Sequence, residues 1–105
     1  MTDEALCKHI AKIALDFPAV DSLQEGSAEH ALDILSRDVV SSEGVRLTRK
    51  EDEISLELHV VVEYGTQIPK MAWELQQRIQ SEVKNFADVD IEEINIHIEG
   101  VKERL

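Results

Sequence analysis

Cysteine is almost missing from this 105-residue chain, and its lone Cys7 has no internal partner for a disulfide. A small domain without disulfides must be held by an apolar core, which fits a reducing compartment. Proline and glycine are also scarce, with two and four copies. That excludes a Pro- or Gly-rich linker, and no internal repeat or low-complexity tract is present. No apolar run approaches the roughly 20 residues of a spanning helix. Met1 is followed by Thr2, Asp3 and Glu4 rather than a basic segment, so no secretory signal is expected. Basic residues are few, 11 against 22 acidic ones, for a net charge of −11. Nucleic acid or an anionic membrane would be repelled by such a surface.

What is present is enough for one core. With 43% apolar residues over this length, residues 1–105 read as a single domain of two packed layers. Leu6, Ile10, Ile13 and Phe17 recur at helical spacing, Thr2 or Asp3 can cap the start, and Pro18 stops the helix. Ala19 to Leu23 can form a short extended piece. Ala28, Ala31, Leu32, Leu35 and Val39 again keep helical spacing and predict a second helix ending before Ser41.

After Gly44 the period changes to two, giving a short strand from Val45 to about Lys50 and a long one from Ile54 to Tyr64. In the long strand Ile54, Leu56, Leu58, Val60, Val62 and Tyr64 share one face, and Ser55, Glu57, His59, Val61 and Glu63 share the other. Gly65 ends it. Pro69 suits a helix start, and Ile68, Ala72, Leu75, Ile79, Val83 and Phe86 form an apolar stripe along a helix to about Asn85. A last strand alternates Ile94, Ile96 and Ile98 with Glu93, Asn95, His97 and Glu99, and Gly100 is expected to close it.

The expected fold is therefore α+β with two layers: a three-stranded mixed sheet carrying helices on one face, in the order helix, helix, strand, strand, helix, strand. The last strand should run parallel to the long one. Its neighbour can be either the long or the short strand. Leu58, Val60, Val62, Leu75, Ile79 and Ile96 are expected in the central core.

Few residues carry chemistry. His59 and His97 fall on the polar sheet face, where Glu57, Glu63 and Glu99 could complete an imidazole–carboxylate metal site. If the short strand lay between them, the two histidines would be about 10 Å apart and could not share an ion. Solvated strand residues are the plainer expectation, and no cofactor is expected. Cys7 lies beside an apolar stripe, so a buried thiol is expected rather than a nucleophile. No catalytic constellation is found, and an enzyme is not expected. A nucleotide-clamping GXXG loop of the RNA-binding KH type is missing, since Gly26, Gly44, Gly65 and Gly100 are isolated. The compact basic group Arg46, Arg49 and Lys50 sits beside three acids and reads as a solvated hairpin tip. Trp73 falls about 140° around its helix from Ile68, off the core stripe. With Gln76, Gln77 and Gln80 on that flank it is the best candidate for a partner or self-association surface.

The stretches LHVVVEYG from Leu58 to Gly65, Ile68-Pro69, INIHIEGV from Ile94 to Val101 and IAKIAL from Ile10 to Leu15 together resemble the bacterial alkaline shock protein family of envelope stress response proteins. Two features depart from that pattern: Ala19-Val20 stands where Gly-Val is expected, and residues 24–42 are not Gly-rich. The resemblance implies a non-enzymatic cytoplasmic protein tied to cell-envelope stress or lipid metabolism, in some members held at a membrane through a partner, with no catalytic residues to carry over. Joined to the residue-level reading, it points to a protein-interaction domain acting as scaffold or regulator for a protein partner, with a homo-oligomer open. A metal- or ligand-responsive regulator using the polar sheet face is the alternative, and RNA binding a minor one.

Overall fold

The computed structural model describes residues 2–24, 39–51 and 53–103. Thr2 begins α1 (Asp3–Leu15) as its N-cap, its Oγ1 accepting from the Ala5 amide at 3.1 Å. Leu6, Cys7, Ile10, Ala11, Ile13 and Ala14 are its buried face. After Pro18 come the strands β1 (Val20–Leu23), β2 (Val39–Ser42), β3 (Val45–Lys50) and β4 (Glu53–Glu63), then α2 (Ile68–Ala87) and β5 (Ile91–Lys102). Pro69 lies in the first turn of α2, and Asp88 ends the helix in the left-handed region at φ 53°.

The sheet is mixed and has five strands, not three. The extended piece after Pro18 joins it as β1, antiparallel to β4. Val39 and Val40 belong to β2, antiparallel to β3, which corrects the placing of Val39 in a helix. β-branched valines suit a pleated strand, and Glu43 and Gly44, both at positive φ (53° and 85°), supply a hairpin turn that faces Ser42 to Val45. The rest of the expected second helix, Ala28, Ala31, Leu32 and Leu35, lies outside the described residues.

β4 is the spine. β5 runs parallel along one side of it, pairing from Ile54↔Ile91 to Glu63↔Lys102, so the last strand lies beside the long one. On the other side β3 pairs with the first half (Val45↔Leu58 to Lys50↔Glu53) and β1 with the second (Val20↔Val62 to Leu23↔Val60). β1 and β3 therefore meet end to end opposite His59: the Gln24 amide donates to the His59 carbonyl at 2.8 Å and the His59 amide to the Gly44 carbonyl at 3.4 Å. β5 does not stop at Gly100. A register shift between the pairs Val60↔Ile98 and Val61↔Gly100 leaves Glu99 as an extra residue, and pairing resumes beyond it.

Ile54, Leu56, Leu58, Val60 and Val62 point to the helices and share one core with α1, Val45, Leu47, Met71, Leu75, Ile79, Val83 and Ile94. Ile96 is only partly buried at its margin, because β5 has no strand partner on its outer side among the described residues. The opposite sheet face bears no helix among the described residues. It carries Arg46, Glu57, His59, His97 and Glu99.

Candidate functional site: the histidine pair on the open sheet face

Parallel pairing puts His59 directly opposite His97. Their rings stack with centroids 4.7 Å apart and planes 11° from parallel. Glu57 precedes His59 by two residues, hence lies on the same face, and its carboxylate touches both rings: Oε1 is 2.9 Å from His97 Nε2 and Oε2 is 3.4 Å from His59 Nε2. Arg46, opposite Glu57 on β3, adds a third contact, Nη1 to Glu57 Oε2 at 3.2 Å. On the far side of His59, Nδ1 is held by Glu99 Oε1. The extra residue in β5 is thus the one that reaches back to β4.

This face is less exposed than a solvated strand surface. His59 and Arg46 are buried, at 6% and 8% of full exposure, while the His97 side chain remains 46% exposed. Long neighbouring side chains cover the strand: Glu57, Glu99 and the second ring shield His59. The expectation of free solvation is therefore corrected for His59 and Arg46. The separation of about 10 Å that an intervening strand would impose does not arise. Glu63 is not part of the constellation; the group able to offer ligand atoms is Glu57, His59 and His97, all within 4.8 Å of one another.

The other candidates are scattered. Cys7 is fully buried, donating weakly to the Val40 carbonyl at 3.8 Å. Burial first, then the carboxylates of Asp3 and Glu4, push its thiol up to about 11, against a smaller opposing effect of the Leu47 backbone. Such a thiol is a poor nucleophile at neutral pH. In the basic group, Arg49 makes two contacts to Asp3 at 2.8 and 3.3 Å, and Arg46 faces Glu57, so two of its three charges are matched internally. Trp73 is 61% exposed on α2. Gln77 beside it is exposed, Gln80 is half-buried, and Gln76 turns inward to donate to the Ile94 carbonyl at 2.8 Å. Sequence periodicity put Gln76 on the same flank as Trp73 and could not show that it staples the helix to β5 instead. A shallow apolar hollow of about 320 Å³ lies between the end of α1 and the start of α2, bounded by Phe17, Pro18, Lys70, Met71 and Glu74.

The architecture is shared with known structures. Two histidine-to-alanine variants of MamM-CTD match with a TM-score of 0.51 and 17% identity over 99% of this chain and 100% of theirs, a likeness of fold alone. At the level of family the match is direct: the chain belongs to the alkaline shock protein 23 family, described as having a cell envelope-related function, with residues 1–103 matched. Among its relatives are two uncharacterized proteins of Bacillus subtilis. YqhY is 33% identical over 85 residues, covering 79% of this chain and 63% of its own length. YloU is 26% identical over 61 residues, covering 58% and 51%. Spy1535 of Streptococcus pyogenes is 34% identical over 59 residues, covering 55% and 46%. The chain thus spans between 46% and 63% of the length of these curated relatives. No helix among the described residues is long and apolar enough to cross a membrane.

Proposed function

We propose that this chain is a non-enzymatic protein-interaction module of the cytoplasm, a scaffold or regulator that serves the cell envelope or lipid metabolism through a protein partner. The observation that carries this reading is Trp73. Tryptophan is costly to leave in water and is enriched at binding hot spots, yet here it is 61% exposed on a helix whose buried side is already filled by Met71, Leu75, Ile79 and Val83. Its neighbour Gln77 is uncharged in a strongly acidic protein, so covering Trp73 and Gln77 together desolvates no carboxylate of their own. The family's envelope-related description supports an envelope partner. A charge of −11 disfavours direct adsorption to anionic lipid, so attachment to a membrane runs through that partner. The internal pairing of Arg46 and Arg49 argues against RNA as the ligand.

The test is affinity capture from the native cell with the wild-type chain and with Trp73→Ala, followed by titration of the recovered partner. A partner whose binding weakens by about 1 to 2 kcal/mol in the variant supports the reading. Equal capture by both proteins removes Trp73 from the interface. Light scattering of the purified chain tests self-association on the same surface: a dimer that dissociates in Trp73→Ala would identify the partner as a second copy.

A further inference from the structure

We propose that Glu57, His59 and His97 bind one divalent transition-metal ion of the zinc class on the open sheet face. Three observations carry this. The first is donor spacing. Zinc binds imidazole nitrogen and carboxylate oxygen at roughly 2.0 to 2.2 Å in a tetrahedron, which sets neighbouring donors about 3.3 Å apart. The Glu57 carboxylate lies 2.9 Å from His97 Nε2 and 3.4 Å from His59 Nε2, and all three residues offer a ligand atom within 4.8 Å. Side-chain rotation alone brings such a set onto a single ion.

The second is the backbone beneath it. Two of the ligands are directly opposed on hydrogen-bonded strands and the third is two residues along the same strand, so their spacing is fixed by the pleat and not by a loop. The third is what surrounds the ligands. Glu99 meets His59 at Nδ1, so Nε2 is the nitrogen that faces Glu57. A carboxylate behind a ligating histidine raises its basicity and fixes its ring. Arg46 meets Glu57 at Oε2, so the oxygen turned to His97 is Oε1. The Arg46 contact orients that carboxylate in the same way.

The ligand set is two nitrogens and an oxygen with no thiolate, and Cys7 lies in the core beneath the helices. That chemistry suits zinc and its neighbours rather than calcium or magnesium. His97 is nearly half exposed, so a fourth position opens to water or to a group from a bound partner. An ion held this way would be exchangeable, and it would tie β4 to β5 at the centre of the open face.

The experiment is equilibrium dialysis of the full chain against zinc chloride near neutral pH, followed by metal analysis, with imidazole nitrogen NMR on the same samples. One bound ion per chain is expected, with the Nε2 resonances of His59 and His97 shifting together. His97→Ala should weaken binding by at least about 100-fold, and Glu99→Ala, which touches no metal, by about 10- to 100-fold. Both side chains are partly exposed, so far-UV circular dichroism should show the fold kept. If either variant unfolds, the paired resonance shifts of the wild type decide the matter. No bound ion, shifts confined to other histidines, or undiminished zinc binding in folded His97→Ala would overturn the site. These readouts do not involve a protein partner, so their outcome is separable from that of the interaction reading.

Discussion

Gly44 sits so close to Leu23 that a methyl group added to it would lie 2.9 Å from the Leu23 Cβ and 3.0 Å from the Gln24 carbonyl oxygen. This is the point at which β1 ends and β3 begins along the same side of β4. Gly44 also adopts φ +85°, so glycine is required there twice, for its backbone and for its lack of a side chain. Gly65 has a similar φ of +87° but open space around it.

That contrast yields a paired measurement. Gly65→Ala should cost about 1 to 2 kcal/mol, the penalty of the left-handed conformation alone. Gly44→Ala should cost about 2 to 4 kcal/mol, because a clash with backbone is added to the strain. Urea melts of the two variants check this, and equal losses would mean that the β1–β3 junction yields easily.

Leu75 and Trp73 test the rotation of α2. Leu75 is fully buried, and Leu75→Ala should destabilise by about 2 to 5 kcal/mol. Trp73→Ala should change stability by no more than about 0.5 kcal/mol, as befits an exposed site. Trp73 is the chain's only tryptophan, so its fluorescence reports one position. Emission at long wavelength with ready quenching by iodide or acrylamide is expected; a blue-shifted, shielded indole in the monomer would place it in the core.

Cys7 gives a pH dependence. The folded thiol keeps its proton up to about 11, against an ordinary value of 9.0 that the unfolded chain regains. Between these values deprotonation favours the unfolded state, so stability falls as pH rises from about 9 to 11, by on the order of 2 to 3 kcal/mol. Below about 9 the contribution is fully present. Cys7→Ala would lose some packing but should flatten this alkaline decline, which melts at pH 8, 9.5 and 11 would detect. Labelling by a thiol reagent at pH 8 should likewise be slow in the native chain and rise with urea.

The strands and helices with a strong period were legible from residues alone. The alternation from Ile54 to Val62 and the stripe Leu75, Ile79, Val83 need no tertiary information, and the parallel course of the last strand follows from an intervening helix. β2 was not legible, because Val39 fits a helical stripe and a strand equally and only pairing with β3 decides between them. Sheet order was open for a related reason: a period of two fixes which face a side chain takes, not which strand lies beside it. The histidine pair was visible as two residues on one face, but its closeness depended on that order. Glu99 was legible as a neighbour on that face, but the register shift that makes it the extra residue of β5 leaves no mark in the hydrophobic pattern beyond the Gly100 that follows it.

Gly44 returns to the end of β1, so Gln24 and Gly44 meet the same residue of β4. Both are bonded to the His59 backbone, so β4 cannot slide at that point without breaking two strand ends at once. One residue inserted between Leu56 and Glu57 would turn every later side chain of β4 over, sending His59 into the core and Val60 into water. The strand beneath the histidines therefore tolerates no change of length, since one slip unmakes the core and the histidine pair together.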